Sequence, residues 1–593
     1  MAYTYEPLPQ DCYTRVLELH PALDPDSTLR GNFRNMNREA GPFYDAISYT
    51  WGALNFTEEI LIGEEHLSIT ENLRDALVRF RHPTEIRSIW ADAICIDQKN
   101  DEEKGRQIPS MKDIYRCASS VLVWLGKLPV AEACLREISL LSQRKTIMTT
   151  GSDMVERISS ELNRLVSIPW FNRRWVIQEI VMNPCVTFFS CTISVPWLRI
   201  LQLLHLVPKK TSSPPILHLH ALREMWETHN RIGPPDSNKS KTDTTGILHL
   251  LSIFNDADCA DARDRVYALA GVASDVVFDD NDNDNSEAGQ TQRKIVLSVD
   301  YTKSVDQVYC DFAVAVLKSW RTHSYIRLLA ETNRRANGFH IREPSWVPDW
   351  RLPIARPEIE SISMLELARG FFSDWAKGFK VPRTRLTGEI MGQISTLYPP
   401  DADRPTQLAW LRSVFTSIKE SHTDYQKDFP MDPKTITDLW CILGGLLTFW
   451  PEVRFLGRYK PYGSELRVFD ALERKNVGSS LDDYCLFTIS VDKKKYRSPL
   501  IGIGPCHVEV GDLVYYAAPE TDGQIFQKNH GIVLRETNES RTTRLHELQR
   551  QQGGQGTDYV ESRTCYFVGL IYTMQCPLRS HFQHYPEFIV DII

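Results

Sequence analysis

The chain has 593 residues, 42% of them hydrophobic and 24% charged, with a formal net charge of -8. That length predicts roughly two to four domains, and the composition is that of a globular protein, neither disordered nor membrane-embedded. A slightly acidic chain with no basic stripe gives nucleic acid no footing, and 13 cysteines without a C-x-x-C pair suit reduced thiols, not a disulfide frame or a zinc site.

Met1 to Gln10 has no charged lead before an apolar core, so no secretory signal is expected. Tyr13 to Leu19 alternates as a strand does, and Asp24 to Gly41 reads as a polar loop. Three apolar, partly β-branched runs follow: Tyr44 to Gly52, Trp90 to Ile96 and Ser120 to Gly126. Each is bounded by polar residues or glycine, the pattern of a buried strand. A hairpin around Gly63 and two helices lie between them. Thr70 is placed to cap the first, with Leu73, Ala76, Leu77 and Phe80 on one face and Pro83 stopping it. The second carries Met111, Ile114, Tyr115 and Ala118 on one face. It should start near Pro109, because proline fits only the first turn. Helices over about Ala131 to Ser142 and Met154 to Val166 come next, the latter broken by Pro169.

Alternating strands and helices predict an α/β domain with a parallel sheet over residues 40–195, after an N-terminal extension, 1–39. Residues 196–480 read as a mostly helical scaffold. Its most apolar stretch, Cys441 to Trp450, is a core helix too short to span a bilayer. Residues 481–593 turn strand-rich, as in a small β-barrel or sandwich. The acidic run Asp279 to Asn285 suggests a calcium loop only superficially: Asn285 stands at the turn glycine and Thr291 at the closing glutamate. No metal site is predicted, and there is no phosphate loop, G-x-G-x-x-G, G-x-S-x-G or H-E-x-x-H.

Three blocks resemble the heterokaryon incompatibility (HET) domain of filamentous fungi: Ala46 to Gly52; Trp90 to Gln98 with Gln107, Met111, Ile114, Tyr115 and Val121 to Gly126; and Trp170-Phe171 with Arg174 to Glu179. Ala91 and Asp97 stand where the family often has Ile or Val and Asn, Lys104 where Arg is usual, and Pro109 is unusual in its helix. Asp261 to Gly271 and Pro344 to Trp350 resemble the region that follows this domain in many family members. The resemblance implies a cytoplasmic protein of fungal non-self recognition that triggers cell death. Its implied partners are an incompatibility partner protein and, by self-association, copies of itself; composition and charge add the expectation of no membrane and no nucleic acid. It also implies distant similarity to TIR domains, which are flavodoxin-like; several hydrolyse NAD and others only assemble.

TIR-type hydrolases place an essential glutamate four residues after a tryptophan, and Trp175 and Glu179 match that spacing. The resemblance makes Glu179 the candidate catalytic carboxylate, holding the ribose hydroxyls and stabilising positive charge as the glycosidic bond breaks. The other reading is a helix N-terminal glutamate favoured by the dipole. Ser48, Tyr49 and Trp51 end a core strand, where doubly wound sheets bind ligands. They either line the NAD pocket or pack in the core. Asp92 either binds substrate or pairs with Arg174, and Arg173 and Arg174 either meet phosphates or lie at the surface. Trp90, Trp124 and Trp170 read as core. NAD is a candidate substrate here, not a resident cofactor. Two functions stand: an NAD hydrolase, or a non-enzymatic scaffold that recruits partners. Glu179 in an open cleft facing Trp51 favours the first; a buried or remote Glu179 favours the second.

Overall fold

The apolar runs read as strands near the start of the chain fall into one nine-stranded sheet. The computed structural model describes residues 2–319 except 11, 39–43, 53–54, 144–151, 210–212, 231–245 and 280–293. Beyond 319 it describes residues 328, 332, 344–352, 384–398, 484–491, 500–505, 507–517, 530–538, 540–541, 562–573 and 588–592. The chain divides into two compact units, Met1–Tyr309 and Cys310–Ile593.

In the first unit β1 (Tyr13–Leu19), β2 (Arg30–Asn37), β3 (Asp45–Tyr49), β4 (Glu58–Ile62) and β5 (Glu65–Ile69) lead into α1 (Glu71–Phe80). Then come β6 (Arg87–Trp90), α2 (Asp92–Cys95), α3 (Asp101–Cys117), β7 (Ser120–Trp124), α4 (Pro129–Gln143) and α5 (Ser152–Val166). A 3-10 turn, Pro169–Asn172, precedes α6 (Val176–Val181), β8 (Val186–Ser190) and β9 (Ile193–Pro196). The strand order is β5-β4-β2-β1-β6-β3-β7-β8-β9. At its centre β6, β3, β7 and β8 are parallel neighbours. The first of them in the chain, β3, lies between the second and third, the strand order of a flavodoxin-like sheet.

The expected parallel sheet is therefore the centre of a mixed one. On one side β1 runs antiparallel to both β6 and β2, and on the other β9 runs antiparallel to β8. Two segments of the expected N-terminal extension, β1 and β2, are thus strands of this sheet. Trp90, Trp124 and Trp170 are buried in the core. Each indole N–H has a partner: Thr14 Oγ1, Asn72 Oδ1 and Ser48 Oγ, at 3.0, 3.0 and 2.9 Å.

Thr70 caps α1 as expected, its Oγ1 accepting from the Leu73 amide at 3.4 Å, and Leu73, Ala76, Leu77 and Phe80 are buried. The second helix differs. It starts at Asp101, not near Pro109, which lies in its interior. Asn100 Oδ1 accepts from the Glu102 and Glu103 amides at 3.1 Å each, and Asp101, Glu102 and Glu103 fill the first turn. A capped, acidic N-terminus holds the helix past the one hydrogen bond proline removes. The second core strand also ends early, at Trp90, because Asp92 begins a helical turn.

One consequence of α3 starting early is that Glu103 reaches β1. Arg15 Nη2 donates to Glu103 Oε2 at 2.8 Å, with both side chains almost wholly buried. Burial works against the Glu103 charge, but the Arg15 bonds more than offset it and hold its carboxyl below the usual range. Removing one partner strands a buried charge. Glu103→Ala is expected to cost about 3–5 kcal/mol, measured as the shift in denaturant midpoint of the full chain.

The first unit continues through α7 (Trp197–Leu204), α8 (Pro214–His229), α9 (Ile247–Ile253) and α10 (Asp264–Ala270), then β10 (Val276–Phe278), which pairs in parallel with β11 (Ile295–Leu297). The next helix, α11 (Val305–Lys318), crosses into the second unit.

The second unit contains β12 (Thr384–Tyr398), β13 (Tyr484–Val491), β14 (Leu500–Pro505), β15 (Leu513–Ala517), β16 (His530–Glu536), β17 (Ser562–Thr573) and β18 (Phe588–Ile592). Because β12 pairs with both β15 and β13, six strands close into a ring, the barrel alternative of the two expected. The closing strand comes from the stretch expected to be helical scaffold. Gly392 sits where those two pairings overlap, and a Cβ there would run into the Ser490 carbonyl oxygen. The Cys441 to Trp450 stretch and the acidic run from residue 280 to 291 lie outside the described residues. Among the described residues no helix is long and apolar enough to cross a membrane, and no group of three or more His, Cys, Asp or Glu is placed to hold a metal ion.

Candidate functional site

The carboxyl ends of β3 and β6 and helix α6 bring five of the predicted side chains into one cluster. Ser48, near the end of β3, is 1% exposed. Its hydroxyl donates to Glu179 Oε2 and its oxygen accepts from Trp170 Nε1. A hydroxyl that both donates and accepts satisfies the cost of burying it. Glu179, on α6, is likewise 1% exposed. Trp51 follows β3, and its indole N–H donates to Asp92 Oδ2 at 3.0 Å. The other Asp92 oxygen accepts from the Ala93 amide at 2.8 Å.

Arg173 links the two halves of the cluster. Its Nη1 donates to the Tyr49 carbonyl and lies 3.9 Å from Glu179 Oε1. Its side chain is 22% exposed, but its charged group is buried among Glu179, Asp92 and the Tyr49 carbonyl. Burial works against its charge, but Glu179 and Asp92 more than offset that. Burial pushes the Glu179 carboxyl up to about 7, Arg173 and the Ser48 hydrogen bond pull it down, and Asp92 pushes it up again. Burial also raises Asp92, opposed by Arg173 and the Trp51 N–H. Tyr49 is buried, and its hydroxyl closes no hydrogen bond, though it is near enough to Asp92 to favour that charge.

The expected Asp92–Arg174 pairing gives way to another arrangement. Asp92 lies at the first position of α2 and not within a strand, facing Trp51 and Arg173. Arg174 faces the other way. It is 1% exposed, and its guanidinium donates to the carbonyls of Phe254, Asn255, Ala257 and Arg265 at 2.7–3.3 Å. The structure therefore brings Ser48, Tyr49, Trp51, Asp92 and Glu179 together and leaves Arg174 outside. Sequence reasoning weighed Arg173 without selecting it, and it missed Asn72. Asn72 Nδ2 donates to the Thr50 carbonyl at 2.6 Å while its Oδ1 accepts from Trp124 Nε1. It thereby ties the turn after β3 to the end of β7.

Comparison with known proteins gives this site a family. A family model described as "Heterokaryon incompatibility protein (HET)" matches residues 44–179. The chain carries a HET domain. Its match begins beside β3 and ends on Glu179, so it spans the whole cluster. The chain is also 25% identical over 437 residues to "Heterokaryon incompatibility protein 6, OR allele" of Neurospora crassa. That match covers 60% of this chain and 60% of the relative's length. No solved structure matches the chain.

Chemically, the HET cluster offers a carboxyl that titrates near neutral pH, a second carboxyl, a guanidinium between them and a half-buried indole. Such a set can exchange a proton or hold a cationic group. In the conformation described, the carboxyl of Glu179 is sealed from solvent.

Proposed function

We propose that this chain acts in fungal heterokaryon incompatibility, as a cytoplasmic non-self recognition protein whose HET domain passes on the signal for cell death. The HET match over residues 44–179 carries this reading, supported by the similarity to the Neurospora protein. The test is genetic. Disabling the chain should abolish death of fused hyphae that differ at the partner locus, and unchanged death would remove it from the response.

For the domain itself, the burial of Glu179 favours a non-enzymatic module that recruits an incompatibility partner or further copies of itself. The Glu179 side chain is almost wholly buried, bonded to Ser48 and beside Arg173, where a substrate could not meet it without rearrangement. The second reading is NAD hydrolysis, favoured by the raised Glu179 carboxyl at the ends of β3 and β6 and requiring α6 to move. The two separate in one assay: NAD loss and nicotinamide release by the full chain, free and artificially clustered, with wild type beside Glu179→Gln. Gln keeps the volume and the acceptor for Ser48. The scaffold expects no turnover by either protein in either state. The hydrolase expects release by wild type and a loss of at least ~100-fold in the variant.

A further inference from the structure

The segment carrying Glu179 is held from its other side by residues 254–271, well outside the matched HET domain. The contact begins in the main chain. The Asp258 amide donates to the Asn172 carbonyl, the Arg174 amide donates to the Asp258 carbonyl at 2.8 Å, and Arg173 and Asp258 form a parallel bridge. Three side chains extend it. Arg174 binds carbonyls from Phe254 to Arg265. The Trp175 indole N–H donates to Asp264 Oδ2 at 3.1 Å, and the other Asp264 oxygen accepts from the Tyr301 hydroxyl. Gln178 Nε2 donates to the Ala268 carbonyl at 2.9 Å. Gly271 closes the contact: a Cβ there would lie 2.9 Å from Gln178 Cδ and nearer still to its amide nitrogen, so any side chain at 271 would force the Gln178 amide to shift.

Helix α6 needs such support. It has six residues and no side-chain cap at its N-terminus, far short of what stands alone in water. Its position is therefore set by what grips it. Contacts to the sheet come through Glu179 and Arg173, and contacts to residues 254–271 come through Arg174, Trp175 and Gln178. The grip also carries a standing cost, because Gln178 Oε1 is buried with no hydrogen-bond partner. A contact that leaves a buried acceptor unpaired is one that another donor can compete for.

We propose that residues 254–271 are a clamp that positions Glu179, acting through Arg174, Trp175 and Gln178, and that loosening the clamp exposes the Glu179 carboxyl. Arg174, Trp175 and Gln178 are then positioning residues. The clamp acts on the accessibility of one carboxyl, whether or not the domain turns over NAD.

The test labels carboxyls of the full chain with a water-soluble carbodiimide and glycine ethyl ester, read by peptide mass spectrometry. Glu103, buried on α3 against Arg15, is the internal reference for global loosening. Gly271→Ala drives its methyl into Gln178 and should raise Glu179 labelling roughly five- to tenfold over Glu103, the scale of one lost buried hydrogen bond. The pH midpoint of Glu179 labelling should fall from about 7 toward the ordinary carboxylate range as water reaches it. Gln178→Ala should do the same, and Gly271→Ala should add nothing further in that background, because both act on one contact. Equal rises at Glu179 and Glu103, an unmoved midpoint, or additive effects of the two substitutions would each overturn the clamp. Should Gly271→Ala fail to fold, Trp175→Phe removes a single donor, and a Glu179 rate unchanged relative to Glu103 in that variant overturns it equally.

Discussion

Arg174→Ala should lower the stability of the first unit by about 3–5 kcal/mol. The size follows from how the guanidinium is used. It meets the main-chain carbonyls of Phe254, Asn255 and Ala257, between α9 and α10, and that of Arg265 in α10. The Phe254 and Asn255 carbonyls also accept, respectively, from the Ala257 amide and from Arg265 Nη1, while the Ala257 carbonyl accepts from both Nε and Nη2 of Arg174. Truncation removes both side-chain donors from the Ala257 carbonyl, weakens the pairing of the other three and opens a cavity, and a buried acceptor left unpaired costs about 1–3 kcal/mol. Arg174→Lys should recover little. An ammonium is a point charge with three donors on a flexible stem and cannot span carbonyls spread around a plane. Urea unfolding of the full chain at neutral pH measures both. A loss below about 1 kcal/mol for the alanine variant would mean that the carbonyls find other donors and the guanidinium is dispensable.

Arg174 also shows where reading the sequence stops. The central strands were legible because β3 and β7 are short apolar runs that can only be buried, and α1 was legible because its cap, apolar face and proline stop agree. Glu179 was singled out through the resemblance to TIR-type hydrolases, and Ser48, Tyr49 and Trp51 by the rule that ligands gather at the carboxyl ends of strands; the structure brings these side chains together. Choosing between Arg173 and Arg174 was beyond the sequence. Arg173 has extended backbone, with φ -75° and ψ 134°, so adjacent side chains leave on opposite sides. One of the two arginines had to face the cluster and the other away from it, and only tertiary register decides which. Pro109 misled for a different reason. Proline disfavours a helix interior by roughly 3 kcal/mol, and that rule cannot weigh the Asn100 cap and acidic first turn that oppose it. The early end of β6 was hidden because Ala93, Ile94 and Cys95 are as apolar as the strand before them, and a helical turn of four residues leaves no period to read. The sheet strand β12 was missed because it lies far from its neighbours in sequence, and pairing between distant segments has no local signature.

Raising the pH from about 5 to about 8 should weaken the first unit through Glu179, and Glu179→Gln should remove that loss. The carboxyl is pushed from 4.5 up to about 7, with burial the largest cause. Between those values the folded protein holds a proton that the unfolded chain has released, so stability falls as pH rises through the window. The shift corresponds to an effect on the order of 3 kcal/mol, fully felt above pH 7. The groups facing Glu179 set this balance: Arg173 and the Ser48 hydroxyl favour the carboxylate, and Asp92 opposes it. Asp264, raised to about 6 chiefly by burial, acts in the same direction. Glu103 does not enter the window, because its carboxyl is held below 4.5 and its contribution is lost only at more acid pH. His218 and His220, lowered chiefly by burial, act the opposite way below 6.5. The difference between wild type and Glu179→Gln, not the raw slope, therefore isolates Glu179. At pH 8 the neutral amide keeps the Ser48 hydrogen bond without a buried charge, so the variant should be the more stable protein. At pH 5 the two should nearly coincide. Denaturant midpoints of both proteins at the two pH values decide it. A variant no more stable than wild type at pH 8 would mean that Arg173 fully compensates the Glu179 charge, and the carboxyl would then be an ordinary buried ion pair with no proton to exchange near neutral pH.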